Sequence, residues 1–180
     1  MLILAINIKR ATADDADLIS HLSKITFEET FRGTCTDDDM QSFVKHAFSH
    51  SSVVNELKDE DDLYFIAYYN NVAAGYMRLK EDYTDYPAMK KYKALELKRI
   101  YVLKEYQSKK IGAALMSYAF QLADEKNYEI IWLGVWEQNK NAKIFYKKWG
   151  FTNTGDSHNF PIGNTPQTDN WMIKFMETGG

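Results

Sequence analysis

Cysteine is almost missing from this sequence of 180 residues, in which Cys35 is the only one. A lone cysteine excludes an intrachain disulfide framework and is typical of proteins that fold in a reducing compartment. No cationic neighbour marks the Cys35 thiol as activated, so we interpret it as a structural residue. Cysteine usage therefore favours a cytoplasmic location.

Long apolar runs are missing as well. The apolar start from Met1 to Ile8 is far shorter than the roughly 20 residues that a membrane-spanning helix needs. It lacks a basic leader and runs directly into Lys9 and Arg10, so we interpret it as a first strand. The sequence predicts no membrane partner.

An excess of positive charge is the third absence. The formal net charge is -3, which gives nucleic acid binding little electrostatic support. His46 and His50 have the i, i+4 spacing of metal ligands on a helix, but no H-E-x-x-H motif or carboxylate cluster completes a site, and we predict no metal. The length and the 45% hydrophobic content predict a single domain spanning residues 1–180.

The pattern of apolar residues predicts one mixed sheet with helices, in the order β-α-α-β-β-β-α-β-α-β-β and of the α+β class. Residues 81–93 lack periodicity and are expected to form a surface loop. The predicted elements are a helix capped by Thr12, a helix near Asp37–Phe48, a hairpin of Leu63–Tyr69 and Val72–Leu79, a strand Leu95–Val102, a long helix from Ile111 to Asn127, a strand Ile130–Val135, a helix Asn139–Trp149 and two final strands.

The turn between the strand ending at Val102 and the long helix predicts an anion site. Free backbone N–H groups and the helix dipole would meet there, Gly112 would allow close approach, and a lysine would add charge. On the residues alone, a solvated first helical turn, in which Gly112 only relieves packing, is the favoured interpretation. The segment lacks the P-loop and Rossmann glycine patterns. It comprises Gln107, Ser108, Lys109, Lys110, Ile111, Gly112 and Ala113.

Two blocks of this sequence resemble the GNAT superfamily of N-acetyltransferases. Ile100-Tyr101-Val102 followed by Gln107-x-x-Lys110-x-Gly112 is similar to the signature [QR]-x-x-G-x-[GA], with Lys110 in place of the first glycine. The segment from Trp136 to Phe151 is similar to the later element N-x-x-A-x-x-F-Y-x-x-x-G-F. The resemblance covers about residues 70 to 151.

The resemblance implies an acetyl-CoA-dependent N-acetyltransferase with a GNAT-like acyl-CoA N-acyltransferase fold. That fold is a mixed, mostly antiparallel sheet of about seven strands, flanked by helices and splayed in the middle at the cofactor cleft. Main-chain groups near Tyr101 and Val102 would pair with pantetheine, the turn from Gln107 to Ala113 would cradle pyrophosphate, and Asn141 would contact the cofactor. Either Asn139 or Asn141 can instead cap the following helix.

Tyr146 is the candidate general acid that the resemblance implies, because a phenol near the sulfur can protonate the departing thiolate. From spacing alone, its position on one helix face with Phe145 and Trp149 indicates core packing. An alkylammonium must also lose a proton before it attacks. Glu96, on the strand leading to Tyr101, could take this proton through water or could be a surface charge.

The chain further resembles the PaiA-like spermidine and spermine N-acetyltransferases, through Phe27–Phe31, Trp132–Glu137 and Gln167–Asp169. This resemblance implies a small-molecule primary amine, a polyamine, that attacks acetyl-CoA directly in a ternary complex. The acidic stretches 56–62 and 81–85 could attract a polycation or could be solvated surface.

Two positions qualify the acceptor expectation. Lys98 stands where that branch tends to have a second acid, and a lone loop histidine such as His158 is more often a surface residue than a catalyst. A protein N-terminus, a peptide lysine, an aminoglycoside, or a non-catalytic role as an acyl-CoA-binding module therefore stay open alternatives. The oligomeric state cannot be predicted.

Overall fold

The computed structural model describes residues 6–177, in which seven strands form one sheet with helices against both faces. Short 3-10 turns at Ala13–Asp15, Pro87–Lys91 and Lys104–Tyr106 connect the longer elements. These are β1 Ile6–Arg10, α1 Ala16–Phe31, α2 Asp37–Ala47, α3 His50–Lys58, β2 Asp62–Tyr69, β3 Val72–Lys80, β4 Ala94–Val102, α4 Ile111–Glu125, β5 Ile130–Trp136, α5 Lys140–Lys148, β6 Thr152–Asn159 and β7 Thr168–Phe175.

The sheet has the strand order β1-β2-β3-β4-β5-β7-β6. The pairing of β4 with β5 is parallel and the other pairings among the described strands are antiparallel. The β2–β3 hairpin turns at Asn70 and Asn71, which both have positive φ, as a two-residue type I′ turn requires. The expectation of a mixed, mostly antiparallel α+β sheet of about seven strands is confirmed.

Alternating strand residues fill two separate cores. Phe65 and Met77 point to the face that α4 covers, where they pack with Leu115. Their neighbours Tyr64 and Tyr76 point to the opposite face, against α1 and α3. Because side chains alternate across a strand, one apolar hairpin serves both layers.

Helix α3 is a correction to the predicted order of elements, which has only two helices before the hairpin. Ser49 caps it by accepting a hydrogen bond from the Ser52 backbone, and Val53 is its only buried residue. Its apolar pattern is short, because only Val53, Val54 and Leu57 pack against the sheet. Glu56, expected on a solvated surface, instead forms an ion pair of 2.8 Å with Arg78.

Residues 81–93 form the expected loop over the surface, with a short 3-10 turn at Pro87–Lys91, and part of the loop packs on the sheet. Met89 is buried, and the Tyr86 ring stacks on Trp171 at 5.3 Å between centroids. His46 and His50 lie on two different helices, α2 and α3, and so do not share a helix face.

The expected first strand is present from Ile6 onward as β1, and residues 1–5 of the expectation lie outside the described residues. Across residues 6–177, every helix is too short or too polar to cross a lipid bilayer.

Candidate active site

A cleft opens where β4 and β5 separate. The two strands pair only over Ala94–Glu96 and Ile130–Trp132, and beyond these residues each continues without the other as a partner. The space between and above them is a cavity of about 1220 Å³. The expectation of a sheet splayed in the middle is therefore confirmed.

One part of this cavity is the turn that begins α4. Ser108 and Lys110 both have positive φ, at 69° and 64°, and the first intrahelical bond runs from the Ala114 N–H to the Lys110 carbonyl. The N–H groups of residues 111–113 are thus left without intrahelical acceptors. Alternating backbone conformations of this kind form an anion-binding concavity, and the helix dipole adds positive potential.

The residues of the turn fit the phosphates of a CoA ester. A Cβ on Gly112 would meet its nearest neighbour, the Phe145 ring, at 3.7 Å, an ordinary contact, and Gly112 itself lines the cavity. Four lysines on or near the turn and on α5 line the same cavity and would attract phosphate. They are Lys104, Lys110, Lys140 and Lys148.

The start of α5 separates the roles of two asparagines. The Asn139 side chain accepts a hydrogen bond of 3.1 Å from the Ala142 backbone, so it is the helix cap. Asn141 is exposed and lines the cavity. The structure thus leaves Asn141 as the asparagine available to a ligand.

Tyr146 lies on the inner face of α5. Its ring packs against Phe145 and Phe151 in the main core, and it also lines the cavity. The Tyr146 pKa is raised, first by burial and then by the negative charge of Asp169. A phenol with a raised pKa stays protonated at neutral pH, which is the form that a proton donor needs.

The two candidate groups of β4 lie at different places. Tyr101 lines the cavity, whereas Glu96 is only 6% exposed and does not line it. The Glu96 carboxylate forms an ion pair of 2.9 Å with Lys98, which also pairs with Asp82 at 3.2 Å. Burial raises the Glu96 pKa to about 7, and the Lys98 charge opposes that rise.

An aromatic wall faces the strands from the side of α1 and α2. Phe31 packs on the Trp136 ring at 5.2 Å, and Phe27 stacks with Phe43 at 4.7 Å between centroids. Trp136 Nε1 is buried and has no hydrogen-bond partner within the described part of the chain. The wall consists of Phe27, Phe31, Phe43, Phe48, Trp136 and Phe160, all of which line the cavity.

Asp169 is a cavity residue to which the sequence analysis gave no role. It lies on β7 beside Trp136 of β5, and its Oδ2 is 3.1 Å from the position that a Cβ on Gly134 would take. The Asp169 pKa is raised to about 6 by burial and by the charge of Asp85. In the sequence, Asp169 stands out only as part of Gln167-Thr168-Asp169, one of the segments that resemble the PaiA-like enzymes. That resemblance implied no role for its carboxylate.

His158 lies opposite Asp169 across the β6–β7 pair rather than in a loop. Its ring stacks on Trp171 at 4.2 Å, burial lowers its pKa, and it does not line the cavity.

The cavity gathers most of the predicted site. Glu96 and Lys109 do not line it. The predicted residues that do are Tyr101, Val102, Gln107, Ser108, Lys110, Ile111, Gly112, Ala113, Asn141 and Tyr146.

Comparison with known proteins agrees with this geometry. A curated N-acetyltransferase of Lactobacillus delbrueckii, itself uncharacterised, is 30% identical over 155 residues, 86% of this chain and 88% of its own. A spermidine N(1)-acetyltransferase of Thermoplasma acidophilum is 26% identical, over 82% of this chain and 89% of its own.

The crystal structure of the PaiA N-acetyltransferase from Thermoplasma acidophilum, in complex with coenzyme A, has the same fold. It superposes with a TM-score of 0.77 at 23% identity, covering 96% of this chain and 99% of that one. The sequence model of the acetyltransferase (GNAT) family matches residues 23–151, which include the α4 turn and Tyr146. This chain therefore belongs to the GNAT family of acetyltransferases, enzymes whose acetyl donor is acetyl-CoA.

Proposed function

We propose that this enzyme acetylates a primary amine of the polyamine class by direct attack on acetyl-CoA in a ternary complex. The observation that carries the proposal is the cleft at the β4–β5 splay, which joins a phosphate-binding turn to an aromatic wall and has Tyr146 in its lining. The donor supplies a thioester carbonyl open to attack and a thiol leaving group. The N–H groups of the turn and Asn141 hold it, and the edge of β4 at Tyr101 and Val102 pairs with its pantetheine arm.

Tyr146 donates the proton that the leaving thiolate needs. Tyr146 lines the cleft, its ring is packed in the core, and its raised pKa keeps the proton on oxygen until charge develops on sulfur.

The positive side chains beside the aromatic wall are paired with acidic ones, which leaves the wall open to a cationic acceptor. The Lys98 charge is offset by Glu96 and Asp82. Arg99 donates to the Tyr64 hydroxyl at 2.7 Å and lies 3.4 Å from Glu56. Both cations are thus compensated, and aromatic faces attract alkylammonium groups by about 0.5–2 kcal/mol each.

One relative supports the same acceptor class. The Thermoplasma spermidine N(1)-acetyltransferase aligns with most of this chain at 26% identity. The lone cysteine further supports our proposal of a cytoplasmic location, where polyamine acceptors would be met in a reducing environment.

An acceptor panel tests the proposal. Thiol release from acetyl-CoA is measured with spermidine, spermine, free amino acids, an aminoglycoside, and peptides offering an N-terminal or a lysine amine. We expect kcat/KM for spermidine or spermine to exceed that of the other amines by about tenfold or more. A higher value for a peptide or an aminoglycoside would refute the polyamine assignment while leaving acetyl transfer intact.

A further inference from the structure

We propose that Asp169 binds the ammonium group of the acceptor and takes its proton before the attack. The inference rests on the proposed transfer to an amine, but not on which amine it is. It would make Asp169 a catalytic residue and would assign the proton acceptor to β7 rather than to β4.

The first argument is the position of the carboxylate. Asp169 lines the same cavity as Tyr146, and its charge raises the pKa of both Tyr146 and Tyr101, so the three groups are close together. Trp136 is its cross-strand neighbour, and side chains of paired residues lie on the same face of a sheet. An ammonium at Asp169 would therefore lie against the aromatic wall and near the proposed acid.

Gly134 leaves room for this carboxylate. A Cβ at this position would lie 2.7 Å from the Trp171 ring as well as 3.1 Å from Asp169 Oδ2, so a side chain could not fit without displacing one of them. Because Gly134 has no side chain, the Asp169 carboxylate can lie over β5 at this point.

The second argument is that Asp169 lacks a partner. Burial and the repulsion from Asp85 account for its pKa shift, and neither a cation nor a hydrogen-bond donor among residues 6–177 contributes. A partly buried carboxylate without a partner is costly, and a ligand cation would remove that cost. Two other carboxylates in this region are engaged, since Glu56 pairs with Arg78 and Glu29 accepts from the Lys104 backbone.

Glu96 is the competing proton acceptor, and its geometry is less suitable. It does not line the cavity, and the Lys98 ammonium occupies its carboxylate at 2.9 Å. Lys98 lines the cavity where Glu96 does not, and its positive charge disfavours a proton on the Glu96 carboxylate. Asp169 lines the cavity itself.

The surroundings of Asp169 fit a carboxylate that titrates near neutrality. The titratable groups that face it are Tyr146 of α5, Tyr101 of β4 and His158 of β6, with Asp85 beyond them. The two tyrosines have raised pKa values and stay neutral, and the pKa of His158 is lowered. The Asp169 pKa of about 6 makes it a better proton acceptor than an ordinary aspartate, yet leaves it ionised at pH 7.

Asp169 and Tyr146 together account for every proton that moves in the reaction. Asp169 takes one proton from the ammonium, and the nitrogen lone pair then forms the bond to the acetyl carbon. As the carbon–sulfur bond breaks, its electron pair goes to sulfur, and Tyr146 gives that sulfur a proton. The second proton of the nitrogen returns to the Tyr146 phenolate through solvent, and Asp169 releases its proton to water.

The test compares Asp169→Asn with the wild type over a range of pH. For a strongly basic amine such as spermidine, wild-type kcat/KM should fall as the pH drops through about 6, because Asp169 is then protonated and cannot accept. Asp169→Asn should lose about 10²-fold or more at pH 7. Its residual kcat/KM should rise about tenfold per pH unit toward the amine pKa of about 10.4, since only free amine can react.

The matched control is Asp124→Asn, the same charge removal at an exposed position on α4, which should behave as the wild type. Coenzyme A affinity should be equal in all three proteins, which separates a damaged fold from a lost proton acceptor. A loss that is equal at every pH, or a kcat/KM within about twofold of the wild type, would overturn the proposal. So would the same pH signature in Glu96→Gln.

A second measurement separates the ammonium site from the chemistry. Spermidine binding to the enzyme–coenzyme A complex tests the ammonium site without turnover. If Asp169→Asn binds spermidine as tightly as the wild type, the proposal fails even where the acceptor panel has succeeded.

Discussion

Tyr146 satisfies a packing pattern and also lies in the lining of the cleft, as its proposed role as the acid requires. Its ring lies in the core beside Phe145 and Phe151, as the helical spacing predicts, and it also borders the cleft. Spacing alone cannot separate the two roles, because a tyrosine buries its ring while its hydroxyl remains available. The resemblance to a family element supplied the distinction.

Tyr146→Phe tests the acid role directly. The substitution keeps the ring and removes the proton, so kcat at saturating acetyl-CoA and spermidine should fall by about 10²-fold or more. Coenzyme A affinity should change little, because the hydroxyl acts as charge develops on sulfur. Unchanged kcat, with altered stability or affinity instead, would leave Tyr146 a packing residue.

The charged residues were the part of the site that the sequence predicted least. Glu96 and Lys98 are two residues apart on β4, but only the fold shows that they pair with each other and with Asp82. Asp169 comes to the cleft because β7 inserts between β5 and β6, a strand order that no local pattern encodes. Residues that meet only through topology could not be assigned from spacing.

At the scale of elements, the α4 turn is the part that sequence and structure describe in the same way. Its residues were predicted to offer free N–H groups, and Ser108 and Lys110 take the positive φ values that form such a concavity. The positive φ of Lys110 accounts for the glycine in the family signature at this position, because glycine adopts this conformation without steric cost. The lysine accepts that cost and adds charge toward the cavity.

Coenzyme A binding to this turn should be visible as thermal stabilisation. A ligand that binds only the native state at 100 times its Kd adds about 2.7 kcal/mol to the free energy of unfolding. NAD and ATP should stabilise less. Gly112→Glu should abolish the effect, since an anion would enter the phosphate turn.

Gly112→Ala is the matched control for that substitution. An alanine Cβ would make only ordinary contacts, the nearest at 3.7 Å to Phe145, so this variant should fold normally and keep most of the coenzyme A shift. A full shift in Gly112→Glu would remove the turn from the binding site.

The elements with a strong period or a clear turn were predicted well, and the others were not. The hairpin at Asn70 and Asn71 and the long helix α4 are both present as expected. Helix α3 was missed because it is short and Val53 is its only fully buried residue, while Glu56 pairs with Arg78 on β3. Such an ion pair leaves no periodic signal in the sequence.

At the scale of the whole molecule, the proposed function divides the cleft into a donor end and an acceptor end. Lysines on the α4 turn and α5 would attract phosphates, whereas the cations beside the aromatic wall are already paired with acids. A net charge of -3 therefore coexists with a cleft that suits an anionic donor and a cationic acceptor. The single domain of residues 1–180 stays a prediction, which the one sheet formed by all seven described strands supports.

The most direct test of the proposed enzyme activity is to measure acetyl transfer itself. The purified protein is incubated with acetyl-CoA and each amine in turn, while thiol release and the mass of the amine product are followed together. We predict thiol release that depends on the amine, with one N-acetylated product formed for each thiol. Tight coenzyme A binding without thiol release above the amine-free rate, for every amine, would contradict the account and would indicate a binding module.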